Sequence, residues 1–223
     1  RLDSQFILAV DLIRDALERR NKVVVLGVGK SGTIGEKIAA TLTSTGSTAV
    51  VLNSLNALHG DLGIVADGDV VLALSYSGET QELLSVLPAV VRFGLPIIAL
   101  TGDKNSTLAK AASAVLDVSI SQEACPLNLA PTSSTTSMLI LGDALAMVLL
   151  ESRGFRKEDF AKYHPGGSLG RSLLLRVNQI MRKIDELALI SPAAPVVEAI
   201  QAMTKYRTGA AVVVNEDETL AGI

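Results

Sequence analysis

One pattern recurs along most of this chain and restricts its fold more than any other feature: a short apolar run that ends in glycine or serine and passes at once into helical spacing. Lys22-Val23-Val24-Val25-Leu26 leads through Gly27-Val28-Gly29-Lys30-Ser31-Gly32 into the helical pattern of Ile34 to Leu42. Ala49 to Leu52 reads as a second strand, and Asp69 to Leu74 as a third that ends in Ser75-Tyr76-Ser77-Gly78 before a helix over residues 79–93. Pro96 to Leu100 and Val115 to Ile120 give two more strands around a short helix at residues 106–113, and Thr132 to Thr136 offer many caps for a long helix through Leu150. Strands that alternate with helices predict a mostly parallel sheet with right-handed crossovers. Nearly half the residues are hydrophobic and only 3% are aromatic. The core is therefore built from Val, Ile, Leu and Ala, which suits a sheet buried on both faces. An amphipathic entry helix over residues 2–20, with Leu2, Phe6, Val10, Ile13 and Leu17 on its apolar stripe, precedes it. The expected fold class is α/β: a three-layer αβα arrangement around a mostly parallel sheet of about five strands.

The pattern changes near residues 176–182. Beyond it come a turn at Ser191-Pro192, a helix from Pro195 to about Tyr206, a strand at Ala210 to Val214, an acidic turn and a strand onset at Leu220-Ala221-Gly222. That succession is half of a small α/β module. The domains are accordingly set at residues 1–178 and 179–223. The chain starts without Met and stops at Ile223 within a strand pattern, so it is expected to be a piece of a longer protein.

Formal net charge is −3 and like charges do not run together, so no nucleic-acid footprint and no polybasic membrane anchor is expected. No uninterrupted apolar run reaches the roughly 18 residues of a membrane span, and the first residues resemble no signal peptide. A single cysteine, Cys125, leaves no intrachain disulfide and fits a reducing compartment. The expected setting is the cytoplasm and the expected partner a small solute. Cys125 itself is expected to be a packed core thiol.

In open parallel sheets ligands bind at the carboxyl ends of the strands, where the glycine- and serine-rich turns fall. Gly27-x-Gly29-x-x-Gly32 has the form of a dinucleotide fingerprint, yet Ser47 to Asn56 holds none of the acidic residues that would bind a ribose hydroxyl. It is not a phosphate loop of the Walker type, because Val24 stands where the first glycine belongs. What remains is a turn that presents backbone N–H groups beside the Lys30 charge and the Ser31 hydroxyl, as an anion site requires. Ser75-Tyr76-Ser77-Gly78-Glu79-Thr80 is more specific. It clusters hydroxyls where a strand gives way to a helix N-terminus, as a phosphate cradle would. One of those hydroxyls is expected to cap the helix; capping does not require all three. Four polar residues can carry chemistry there: Glu82 one turn behind the cradle, Glu123 just past the fifth strand, and the two histidines, His59 and His164, in glycine-containing loops. The spacing of the histidines gives a metal site little support.

Taken together, the glycine-lysine-serine turn, the Ser-x-Ser-Gly-Glu cradle and the hydroxyl-rich start of the late helix resemble the sugar isomerase (SIS) family. Within it, His59-Gly60-Asp61-Leu62-Gly63, Glu123-Ala124-Cys125-Pro126-Leu127, Leu129 to Thr136 and His164-Pro165-Gly166-Gly167 resemble the arabinose 5-phosphate isomerases, and residues 181–223 resemble the first half of a CBS module. The resemblance implies the SIS fold and interconversion of D-ribulose 5-phosphate and D-arabinose 5-phosphate through an enediol, feeding the Kdo sugar of lipopolysaccharide. No metal or other cofactor is expected. It further implies a homotetramer with active sites shared between subunits. By position it makes Lys30, Glu82, Glu123, His164 and His59 catalytic, His59 acting from a neighbouring subunit, and gives phosphate or sugar contacts to Ser31, Ser75, Ser77, Thr80, Ser134 and Thr135. Isomerisation needs a base near C1 and C2, an acid near the oxygens and a fixed phosphate. Glu123 is taken as the base with Glu82 as rival, a histidine as proton shuttle and Lys30 as partner of the phosphate or oxyanion. Two alternatives stay open: a non-catalytic sugar-phosphate sensor, which needs the cradle but not the Glu/His set, and an isomerase of another phosphosugar.

Overall fold

The computed structural model describes residues 3–223, apart from the side chains of residues 168, 169 and 174. The chain forms two compact units, Arg1–Gly170 and Arg171–Ile223.

In chain order the first unit contains α1 (Ser4–Glu18), β1 (Val23–Gly27), α2 (Gly29–Ser44), β2 (Ala49–Asn53), α3 (Ser54–Ala57), a 3-10 turn at Asp61–Ile64, β3 (Val70–Leu74), α4 (Gln81–Leu84), α5 (Leu87–Arg92), β4 (Ile97–Thr101), α6 (Thr107–Ala111), β5 (Ala114–Asp117), α7 (Ser133–Ser152) and α8 (Lys157–Tyr163). The five strands pair in the order β2-β1-β3-β4-β5, all parallel. Every residue of β3 and β4 is buried. One apolar layer, from α1, α2 and α7, packs on one face of the sheet; the other, from Leu83, Val86, Leu87, Val90 and Leu108, packs on the opposite face. The expected three-layer α/β architecture with five parallel strands is present. In α1, Phe6, Val10, Ile13 and Leu17 are buried as their spacing predicts, with Asp3 capping the first turn; Leu2 lies outside the described residues.

Three differences from the sequence reading have physical causes. The helix expected over residues 79–93 is two short ones, because Pro88 has no N–H to continue the ladder and sits instead in the first turn of α5, where none is needed. The fifth strand stops at Asp117, whose carboxylate accepts the Ser119 N–H at 2.8 Å and turns the chain locally. No apolar run crosses 18 residues, yet α7 is a 20-residue helix long and apolar enough to cross a membrane by length and composition. Its buried side chains, Met138, Leu141, Leu145 and Leu149, belong to the core layer shared with α1 and α2.

At the end of the sheet opposite the strand carboxyl termini, the Asp69 side chain is fully buried. It accepts from the Lys22 ammonium at 2.7 Å, from Lys22 N at 3.1 Å, from Ala66 N at 2.8 Å and from Asn21 Nδ2 at 3.3 Å. Burial works to raise its pKa, but the Lys22 ammonium and the backbone donors outweigh it and hold the carboxyl below its usual range. This pins the start of β3 to the start of β1.

The second unit contains α10 (Val177–Ile180), β6 (Leu189–Ile190), α11 (Val196–Tyr206), β7 (Val212–Val214) and β8 (Leu220–Gly222), preceded by α9 (Ser168–Leu174), which straddles the division between the units. β6 pairs parallel to β7 and β7 antiparallel to β8. Helix α11 ends at Arg207 in the left-handed conformation, and the Arg182 guanidinium donates to the free carbonyls of Tyr206 and Arg207 at 2.8 and 3.0 Å. Val196, Val197 and Ile200 of α11 are exposed, and among the described residues of this unit the buried apolar ones are Ala188 and Ala211.

Helix α7 lies close against α2 because Gly142 faces Ile38: a Cβ on Gly142 would stand 2.3 Å from Ile38 Cδ1. Gly142→Ala is therefore expected to destabilise the protein by about 1–3 kcal/mol through overpacking, despite alanine's better helix propensity. Ile38→Val, which shortens the obstructing side chain, should recover part of the loss in the double variant. Denaturant midpoints of the four proteins in the cycle measure the coupling, and strict additivity would exclude this contact as the cause.

Candidate active site

β1 and β3 are neighbours, with Gly27 opposite Leu74, while β2 lies beyond β1 and β4 beyond β3. The chain reverses its direction of travel across the sheet between these two strands. The loops leaving their carboxyl ends diverge there and leave a crevice. The glycine turn follows β1 and the serine-rich turn follows β3, so the two sequence motifs flank one switch point.

At the first turn, α2 begins directly at Gly29 with no side-chain cap, since Val28 precedes it. Its first N–H groups are consequently open at the head of a 16-residue helix. The helix can begin this close to the strand only because of two glycines. A Cβ on Gly27 would stand 2.9 Å from Gly32 Cα, and one on Gly32 would stand 3.0 Å from Gly27 O. Lys30 is exposed at this helix start and Ser31 is half-buried.

At the second turn, Ser75 Oγ lies 2.8 Å from Thr80 Oγ1 and accepts the Gly78 N–H at 3.1 Å, while Ser77 Oγ accepts from Glu79 N at 3.2 Å. Ser75 is buried and Ser77 exposed. Gly78 has φ +66°, and a Cβ there would collide with Ser106 Oγ at 2.0 Å, so only glycine fits. The Glu79 carboxylate accepts the Thr107 N–H at 2.7 Å and Gly78 O accepts from Leu108 N at 3.1 Å, locking the turn to the head of α6. The helix dipole expected behind this cradle is reduced, because α4 spans only Gln81–Leu84.

Glu123 lies in the loop after β5 and points at the head of α7. Its carboxylate accepts from Thr132 N at 2.8 Å, Thr132 Oγ1 at 3.0 Å, Ser134 N at 3.2 Å and the Ser134 hydroxyl. Thr132, the residue before the helix, makes no cap of its own, so Glu123 caps α7 from nine residues upstream. The Ser134 hydroxyl foremost, joined by the Thr132 and Ser134 N–H groups and the Thr132 hydroxyl, holds this carboxyl down at about 2 against its ordinary 4.5, in spite of partial desolvation. Such a group is ionised and a weak base in the free protein.

Ser31, Tyr76, Gln122, Glu123, Ser134 and Thr135 are among the residues that line one cavity of about 350 Å³, which also meets Ile120, Asn128, Leu129, Pro131 and Met138. Of the residues singled out from the sequence, this cavity thus gathers Ser31, Glu123, Ser134 and Thr135. The Thr135 hydroxyl donates to Thr132 O at 2.9 Å. Glu82 is exposed on α4 and does not line the cavity. His59 is exposed in the turn between α3 and the 3-10 segment. His164, at the end of α8, stacks on Phe160 with ring centroids 3.8 Å apart. Its Nδ1 lies 2.9 Å from Phe160 O, and a carbonyl can only accept, so Nδ1 is the donor of that bond. It lines a separate groove with Glu36, Thr43, Val51 and Tyr163. Cys125 is not a core thiol: it is half-buried in the loop after Glu123, and N–H groups of Ala130, Leu129, Leu127 and Asn128 turned toward the sulfur lower its pKa. Sequence reasoning missed Thr132 as a Glu123 partner; it set Tyr76 at the border of the pocket, where it bears on sugar preference, without its contacts.

Comparison with known proteins gives two family matches, the SIS domain over residues 16–148 and the CBS domain over residues 177–223. The arabinose 5-phosphate isomerase KdsD of Pseudomonas aeruginosa is 50% identical over 223 residues, which is all of this chain and 68% of that protein. KdsD of Escherichia coli is 48% identical over 204 residues, or 92% of this chain and 62% of its own length. A solved structure of an Escherichia coli protein in complex with arabinose 5-phosphate superposes with a TM-score of 0.69 at 41% identity, covering 73% of this chain and 85% of the other.

The low pKa of Glu123 makes its cap dependent on pH. The folded value, about 2, lies below the ordinary 4.5, so the stability it adds is fully present above pH 4.5 and is lost as pH falls toward 2. Glu123→Gln is expected to melt several degrees below the wild type at pH 7, with the gap narrowing once pH drops below 4.5. Thermal melts followed by circular dichroism test this, and a gap that stays constant with pH would assign the cap to something other than the charge.

Proposed function

The chain belongs to the SIS-domain family and, within it, to the arabinose 5-phosphate isomerases, and on that footing we propose that it interconverts D-ribulose 5-phosphate and D-arabinose 5-phosphate through an enediol. The observation that carries this reading is the crevice between β1 and β3, where an uncapped helix head, a hydroxyl-lined turn and a carboxylate-bearing cavity meet at one end of the sheet.

In this reading the phosphate rests on the turn from Ser75 to Thr80, where Ser77 is exposed, and on the N–H groups at the start of α2, with Lys30 supplying charge. Ser31, Ser75, Ser77, Thr80, Ser134 and Thr135 form the binding set, some through their hydroxyls and some by shaping the turns. Lys30, Glu82, Glu123, His164 and His59 form the catalytic set. Proton transfer between C1 and C2 falls to Glu82, since Glu123 is committed to four donors and too acidic to take a proton well near neutrality. Glu123 then fixes the head of α7 beside the sugar. Lys30 steadies the oxyanion of the enediol and a histidine moves protons between the sugar oxygens.

The histidines support a shared site. Within one chain His59 is exposed and His164 opens into a different groove from the Glu123 cavity. A homotetramer in which neighbours lend these side chains brings the set together. We further assign residues 1–178 to the isomerase domain and 179–223 to an incomplete first CBS motif, the setting to the cytoplasm and the product to Kdo and lipopolysaccharide synthesis.

The test is to incubate the purified chain with D-ribulose 5-phosphate in D₂O and follow both arabinose 5-phosphate and deuterium at C2 by NMR. Product with deuterium incorporation is expected for the wild type. Glu82→Gln should lower kcat by about 10²–10⁴-fold, the usual worth of a positioned base. Glu123→Gln should act more mildly on kcat and should weaken binding. Exchange that survives in Glu82→Gln and vanishes in Glu123→Gln would return the proton transfer to Glu123.

A further inference from the structure

Tyr76 is the aromatic side chain lining the Glu123 cavity, and it joins elements that the proposed reaction must hold at a fixed separation. It follows β3 between Ser75 and Ser77, so it belongs to the phosphate-binding turn. Its ring packs against Gly102, just past the end of β4: a Cβ on Gly102 would stand 2.6 Å from Tyr76 Cε2 and 2.9 Å from Cζ, so only glycine leaves room for the ring. Its own carbonyl accepts from Gly102 N at 2.9 Å and from Thr101 Oγ1 at 3.2 Å. Its phenol oxygen accepts the Ile120 N–H at 3.3 Å, three residues before Glu123. The side chain therefore spans from the end of β3, over the end of β4, to the segment after β5. The phenol proton is given to no acceptor among the described residues, and the ring faces the cavity beside Ser31, Gln122 and Thr135.

We propose that Tyr76 is the specificity-determining residue of this site: a rigid spacer that sets the distance between the phosphate-binding turn and the Glu123 segment, and so admits a five-carbon phosphosugar in preference to a longer one. The inference rests on the proposed isomerase reading and deepens it. An aromatic ring does this well because it has few rotatable bonds and is clamped at both ends, by main-chain bonds at Gly102 and by the Ile120 N–H. A side chain that ended at Cβ would leave the same turn in place, still locked through Glu79 and Thr107, but would lengthen the cavity by the volume of the ring.

The experiment measures kcat/KM for D-ribulose 5-phosphate and for the six-carbon ketose D-fructose 6-phosphate, together with competitive inhibition by inorganic phosphate, in the wild type, Tyr76→Phe and Tyr76→Ala. Tyr76→Phe keeps the spacer and loses only its tie. The five-over-six preference should stay within about twofold of wild type while KM for D-ribulose 5-phosphate rises. In Tyr76→Ala the preference should fall by about tenfold or more, with phosphate inhibition unchanged because the hydroxyls of the turn are untouched. A well-folded Tyr76→Ala with the wild-type preference, or one in which phosphate inhibition weakens by the same factor as both sugars, would overturn the proposal and leave Tyr76 a purely structural residue. Should the wild type turn over neither sugar, the isomerase reading fails on its own. Calorimetric affinities of arabinose 5-phosphate and D-fructose 6-phosphate for the wild type and Tyr76→Ala then decide the spacer by the same ratio.

Discussion

Burial of the central strands on both faces is the constraint from which the rest of the first unit follows. β3 and β4 expose no residue on either side, and apart from Thr101 at the end of β4 they carry no polar side chain. Function is pushed to the strand ends. Parallel strands all release their chain at the same end, and the switch from β1 to β3 opens that end where two short polar turns emerge. The Asp69 cluster at the opposite end holds these same two strands in register, so the stability of one end and the geometry of the other are properties of one pair of strands.

The turns are held by their own atoms before any ligand arrives. Ser75 bonds to Thr80 and Gly78, Glu79 reaches Thr107, and Gly78 fits where a side chain would strike Ser106. A site that is already ordered loses little conformational freedom on binding, which favours affinity for a small, charged solute. Glu123 belongs to the same economy of order: its carboxylate organises the head of α7, the longest helix of the chain, and its acidity is the physical record of those four donors. A carboxylate that reads as a base in sequence is also a cap in space, and hydrogen bonds to its ionised form lower its basicity.

Much of this was legible in the residues. The apolar runs, their glycine and serine endings and the helical spacing between them predict five parallel strands, and the Ser75 to Thr80 turn announces itself by its cluster of hydroxyls. The break before α5 was also readable, since Pro88 stands in the middle of the segment taken for one helix. Less legible were the partners of Glu123. Thr132 and Ser134 are nine and eleven residues away, and nothing local marks which of several hydroxyls near a helix start will turn toward a carboxylate upstream. The same holds for Cys125, whose environment depends on how the loop through Ala130 curls around the sulfur.

Sequence alone determined the class of fold, the family and the end of the sheet where ligands belong, because those follow from local periodicity and from short motifs whose residues are neighbours in the chain. Tertiary structure alone decided which of the marked residues share a cavity, which carboxylate is held ionised, and that Tyr76 bridges three strand ends. The reason is physical: hydrogen bonds and close contacts between β3, Gly102, Ile120 and α7 depend on how the strand ends and the loops beyond them converge in space, and no periodicity along the chain encodes that convergence.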